Sequence, residues 1–146
     1  MTMPERLLIL ALISAAVVVA AAATRVWSRQ RVTRLQRESG TSAWDALGQQ
    51  PDGRAGLLVF STPFCVACRT TQEPAIQAVG AEYGASLRVV HVDIGARPDA
   101  ARAFSILTAP STVVLRPDGR VSAVNQGVAS AARLRSQLTV AAASPA

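Results

Sequence analysis

From Leu7 to Ala23 the chain carries no charge and only one polar residue, Ser14. Counted on through Thr24, Val26 and Trp27, the run is roughly 20 residues, about 30 Å of helix, enough to cross a bilayer core. Beyond residue 40 the pattern breaks into short apolar runs divided by turn residues. Thr41 or Ser42 can cap a short helix through Trp44, Ala46 and Leu47. Pro51-Asp52-Gly53 reads as a turn. Ala55–Phe60 has the length and continuous apolarity of a strand buried on both faces. Arg69–Tyr83 reads as a helix with Ile76, Val79 and Tyr83 inward, kinked at Pro74 and stopped by Gly84.

Leu87–Ile94 is a second strand. Gly95–Pro98 is a loop, and Asp99 is placed to cap a helix over Ala100–Phe104. Ser105–Ala109 leads to Pro110. Thr112–Leu115 is a third strand, Pro117-Asp118-Gly119 a hairpin turn and Arg120–Val124 the antiparallel partner. Gly127 interrupts, and Ser130 caps a last helix over Ala131–Val140, with Leu134 and Leu138 on one face. Ala141–Ala146 is expected to be a disordered tail. The order is β-α-β-α-β-β-α. The strand–helix–strand unit demands a parallel pair and the terminal hairpin adds antiparallel strands, so the fold class is α/β with a central mixed sheet flanked by helices.

Charge sharpens the picture at the N-terminal end. All fifteen basic residues are arginine, against nine acidic residues, for a formal net charge of +6. Most of that excess sits on Arg25, Arg29, Arg31, Arg34 and Arg37, just after the apolar run. The high charge therefore describes a juxtamembrane arm rather than a basic folded surface, and no nucleic-acid face is expected. The organisation read from this is a transmembrane anchor over 1–27, an arginine-rich linker over 28–40, a folded domain over 41–140 and a tail over 141–146. The alternative for the first segment is a cleaved signal peptide: Arg6 as its basic start, Leu7–Val19 as its apolar stretch and Ala21-Ala22-Ala23 as a cleavage site. The arginines that follow at once favour a retained, single-pass anchor. By the positive-inside rule they put the domain in the cytoplasm. The alternative is an extracytoplasmic domain.

The candidate chemistry lies in Ser61–Arg69, which holds the only two cysteines, Cys65 and Cys68. The spacing puts both sulfurs on one side of a helix's first turn, within reach of a disulfide. At the helix start, unpaired amides and the dipole favour a Cys65 thiolate, the nucleophile; Cys68, one turn in, is the resolving thiol. A static disulfide closing so small a loop would stabilise little. A zinc site would need two further ligands, and the one histidine, His91, sits on a strand as a half-buried or surface side chain. No cofactor and no resident metal are expected. No glycine-rich phosphate loop and no close pair of acids suited to hydrolysis is present.

Taken together, the strand Leu57–Phe60 running into Cys65-Val66-Ala67-Cys68, the strand ending Val92-Asp93, Ala109-Pro110-Ser111 before Thr112–Leu115, and Pro117-Asp118-Gly119, Gly127 and a terminal helix resemble the thioredoxin family. The resemblance spans about Leu57 to Leu138. It implies a thioredoxin-like fold, protein disulfide or dithiol substrates, an electron-donor partner and a monomer. It also implies that Pro110 is a cis-proline facing the cysteine pair, with Ala109, Phe64, Val66 and Ala67 contacting substrate. Four features depart from the family pattern. Val59 stands where a buried Asp often assists the second cysteine, Phe64 replaces a Trp, Val66-Ala67 replaces Gly-Pro, and Pro74 comes one place late. Two rivals remain beside a membrane-tethered oxidoreductase: a thioredoxin-fold binding module with incidental cysteines, and a copper or zinc chaperone using both thiolates.

Overall fold

Strand β1, Ala55–Ser61, is the spine of the domain, and its first six residues are all buried. It can be apolar throughout because helices cover both faces. Leu58 and Phe60 point into one core with Trp44, Val92, Phe104, Val113 and Leu115; Leu57 and Val59 point into the other with Ile76, Val79, Val114, Leu134 and Leu138. The computed structural model describes residues 12–24 and 42–143. The chain divides into two compact units, residues 1–34 and 35–146.

In the first unit, residues 12–24 form helix α1, with Leu12, Ile13, Val17, Val18 and Val19 exposed. Among the described residues no helix is long and apolar enough to cross a membrane. The expected span reaches past the described residues at both ends, and the arginine arm 28–40 lies outside them.

In the second unit a four-stranded sheet runs β2-β1-β3-β4. β2 is Leu87–Asp93, β3 Ser111–Leu115 and β4 Val121–Gln126. β1 pairs parallel with β2 and antiparallel with β3, and β3 pairs antiparallel with β4. Helices α2 (Glu73–Tyr83) and α4 (Ala131–Ala143) pack on the Leu57–Val59 face. The short α3 (Pro98–Ala103) and a 3-10 turn, Ala43–Leu47, pack on the Phe60 face. The fold is the expected α/β thioredoxin-like one, with a mixed sheet flanked by helices.

This register fixes where the loops lie. Ser61 is level with Asp93, and Phe60 with Ser111, which is level with Gln126. The segments following β1, β2 and β4 and the one preceding β3 therefore all leave the same end of the sheet.

Four local expectations change. Asp99 does not cap α3; the helix starts at Pro98, and Asp99 sits in its first turn with its carboxylate on the Arg97 guanidinium. Pro can open a helix because an amide there needs no partner. The last helix does not stop at Val140: α4 continues to Ala143, because Ala141 is buried in the core beneath it, and the rest of the expected tail lies outside the described residues. β4 starts at Val121 and runs to Gln126, later than the expected Arg120–Val124. Lastly, the disturbance around Pro74 is not a simple kink. A π turn, Cys68–Gln72, precedes α2, with the Glu73 amide donating to the Cys68 carbonyl five residues back. A π turn takes in one residue more than an α turn. That suits a proline displaced by one place, and Ile76 and Val79 still face inward.

Candidate active site

Helical structure begins at residue 66, so Cys65 stands at the N-cap position. The Cys65 amide closes a turn onto the Thr62 carbonyl at 3.1 Å. The Cys65 Sγ accepts the Cys68 amide at 3.1 Å, taking the place of the oxygen of an ordinary capping Ser or Asp. Neither Ser61 nor Thr62 caps this helix; the Cys65 sulfur does. Cys65 and Cys68 are joined in a disulfide with S–S 2.07 Å and Cα atoms 5.3 Å apart. The pair is asymmetric: Cys65 is half-buried, and Cys68 is 8% exposed.

The rim is apolar and open. Phe64 is 91% exposed and Val66 63%. Ala67 is exposed, Ala109 half-buried and Pro110 buried, with the Ala109–Pro110 bond cis. Two further apolar side chains at this end escaped the sequence reading: Leu107, 77% exposed, and Val128. Arg69 is exposed beside Cys68. Val59 is buried among apolar neighbours, leaving no acid at that position to exchange a proton with Cys68. His91 is exposed, and Asp93 closes its own loop by accepting the Gly95 and Ala96 amides. Among the described residues no group of three His, Cys, Asp or Glu side chains is placed to hold a metal ion.

Polar side chains that the sequence reading passed over hold this end together. Gln72, wholly buried in the π turn, accepts the Ala129 amide at 2.8 Å and donates to the Ala129 carbonyl at 3.1 Å. It thus ties the cysteine-bearing helix to the loop between β4 and α4. One signal for it was available: Gln72 is four residues before Ile76, on the helix stripe that faces inward. Across the same sheet face, Asn125 donates to Thr112 and to Gln137, and Gln137 donates back to Asn125. Thr112 is level with Val59, so this network lies in the same cross-sheet row as the missing acid.

Residues 27–139 match the TraF family, described as an F plasmid transfer operon protein. The chain belongs to the TraF family. Its TraF region also resembles the thioredoxin of Porphyra purpurea, 29% identical over 68 residues, which is 47% of this chain and 63% of that protein. The chain therefore spans less than two thirds of that relative's length. Among solved structures, the TraF chain resembles Fasciola hepatica thioredoxin (TM-score 0.57, 23% identity, 67% of this chain and 90% of that one). It also resembles MTB DsbF, seen in mixed oxidised and reduced forms (TM-score 0.52, 19% identity, 62% of this chain and 82% of that one). These likenesses support a thioredoxin-like domain within this TraF member. A disulfide at a helix start, with one sulfur capping and more exposed than the other, is chemically suited to thiol–disulfide exchange.

Proposed function

We propose that the chain is a membrane-tethered thiol–disulfide oxidoreductase acting on protein disulfides. The observation that carries this is the Cys65–Cys68 disulfide with Cys65 at the N-cap, its sulfur receiving the Cys68 amide. In the reduced protein the same amide and the helix dipole favour a Cys65 thiolate.

The thiolate attacks one sulfur of a substrate disulfide. A Cys65–substrate disulfide forms, and the other substrate sulfur leaves as a thiolate that takes up a proton. Cys68, deprotonated, then attacks Cys65 Sγ, and the second substrate sulfur leaves and is protonated in turn. The substrate gains two electrons, and the protein returns to the Cys65–Cys68 disulfide. A dithiol donor partner reverses that last state for the next cycle. Phe64, Val66, Ala67, Ala109 and Pro110 supply the surface on which the substrate segment lies.

The tether is supported by the uncharged run from Leu7 to Ala23, of which residues 12–23 are helical, with exposed apolar side chains. The arginines that follow it favour a cytoplasmic domain. The TraF description supports a setting in plasmid transfer, with substrates among proteins of that process. A membrane-impermeant thiol reagent applied to intact and to lysed cells, with and without a reductant, tests the side: labelling only after lysis means a cytoplasmic domain, and labelling of intact cells means the opposite side.

The activity is tested with the purified full chain. It reduces insulin disulfides with dithiothreitol as donor, and Cys65→Ser abolishes the reduction. Equal rates for wild type and Cys65→Ser would end this reading.

A further inference from the structure

We infer that Gln126 is a positioning residue for substrate docking, resting on the oxidoreductase reading above. Gln126 closes β4 level with Ser111, at the end of the sheet from which the cysteine segment also departs. Its side chain reaches back to the segment that leads into β3. Its Nε2 donates to the Ser105 carbonyl at 2.8 Å, and its Oε1 accepts the Leu107 amide at 3.1 Å. The Ser111 hydroxyl lies 3.2 Å from the same Oε1 and donates its hydrogen to the Thr108 carbonyl at 2.7 Å. Residues 105–110 have no strand or helix of their own, and Ser105 carries a left-handed φ of 53°. Upstream the segment is pinned by Ile106, buried and bonded to the Ala101 carbonyl. Leu107 is held by Gln126, and Thr108 by Ser111.

Gln126 is itself exposed. It adds nothing to either apolar core, so its bonds set the path of a surface segment rather than the stability of the domain. A side-chain amide carries a donor and an acceptor side by side without charge, and so serves the carbonyl at 105 and the amide at 107 at once. What that path controls is the presentation of Leu107 and of the Ala109 backbone at the end of the sheet that also carries the disulfide. A substrate protein that lies along this segment depends on it; a small disulfide that needs only the Cys65 sulfur does not. The prediction is therefore a split by substrate size.

The test uses the full chain, wild type, Gln126→Met and Gln126→Glu. Met keeps the length and removes both bonds. Glu keeps the acceptor for Leu107 and loses the donor to Ser105. The dithiol form of each is mixed with insulin or with 5,5′-dithiobis(2-nitrobenzoate), and single-turnover oxidation of Cys65 and Cys68 is followed. For Gln126→Met the half-saturating insulin concentration rises about tenfold, the equivalent of one to two hydrogen bonds. The maximal insulin rate and the small-disulfide rate stay within about twofold, and the Leu107 amide exchanges with solvent faster than in wild type. Gln126→Glu falls between the two. An unchanged half-saturating concentration in an active protein overturns the inference, as does an equal loss on both substrates. A wild-type protein inactive on both substrates overturns the parent reading instead, and the Leu107 exchange then still decides whether Gln126 holds the segment.

Discussion

Gln72 offers the sharpest test of how this end of the domain is held. Replacing it with Leu keeps nearly the same volume and removes both bonds to Ala129. Ala129 is itself buried, so its amide and carbonyl lose their partners without gaining water. Each orphaned group costs about 1–3 kcal/mol. Allowing for partial relaxation, the sum is about 3 kcal/mol, a large share of the ~5–15 kcal/mol that stabilises a domain. Urea unfolding of the oxidised full chain, followed by circular dichroism, reads it as a midpoint lowered by on the order of 2 M, given slopes of ~1–3 kcal/mol per M. Gln77→Leu, on the exposed side of the same helix, is the control and stays within about 0.5 kcal/mol. Gln72→Glu adds a pH signature. A neutral carboxyl can reproduce both bonds, its O–H donating to the Ala129 carbonyl, whereas a carboxylate is buried against that carbonyl. Its folded pKa is therefore raised above the unfolded value of about 4.3. The stability is fully present below about 4.3 and is lost as pH rises through the raised folded value. A Gln72→Leu midpoint within about 0.3 M of wild type, or a Gln72→Glu protein no less stable at pH 8 than at pH 4, would refute the bidentate clamp.

Two further outcomes test other contacts. A Cβ on Gly56 would lie 2.7 Å from Trp44 Cζ2 and 3.1 Å from Leu115 Cβ; Gly56→Ala is expected to lose about 1–3 kcal/mol by overpacking, read as a lower urea midpoint. The Arg97 guanidinium, hydrogen-bonded to Asp99, lowers that carboxyl from 3.8 to about 2. Because the folded value is depressed, its contribution is present above 3.8 and fades as pH falls toward 2; a carboxyl titration by NMR should show the low value in wild type and a return toward 3.8 in Arg97→Gln.

The architecture was legible because its signals are local and periodic. Continuous apolarity in 55–60 marks a strand covered on both sides, and Pro117-Asp118-Gly119 marks the hairpin. The cysteine pair was legible by spacing. What escaped depends on partners distant in sequence. Gln72 bonds a residue 57 positions away, and Gln126 bonds residues 19 and 21 positions earlier. A glutamine carries no periodic signature of its own, so on a helix or at a strand end it reads as solvated. The α3 start and the π turn were missed for a related reason: Asp99 and Pro74 each have a common local role, and packing selected another.

The two missed glutamines share a property that suits the proposed chemistry. Loops at the open end of a sheet leave backbone donors and acceptors without ladder partners, and something must satisfy them near the dithiol. A carboxylate would do so at the cost of repelling a Cys65 thiolate and raising its pKa; a guanidinium would lower it and offers no acceptor. Side-chain amides supply donor and acceptor together and leave the local charge at zero. Gln72 does this for the loop after β4, and Gln126 for the segment before β3. With Val59 in the buried row as well, Arg69 is the only charged residue in the stretch from Ser61 to Gln72, and Asp93, at the same end of the sheet, has its carboxylate engaged by the Gly95 and Ala96 amides. In the reduced form that the proposed cycle requires, a Cys65 thiolate would be stabilised by the Cys68 amide, 3.1 Å from Sγ in the disulfide form, and by the start of the helix behind it.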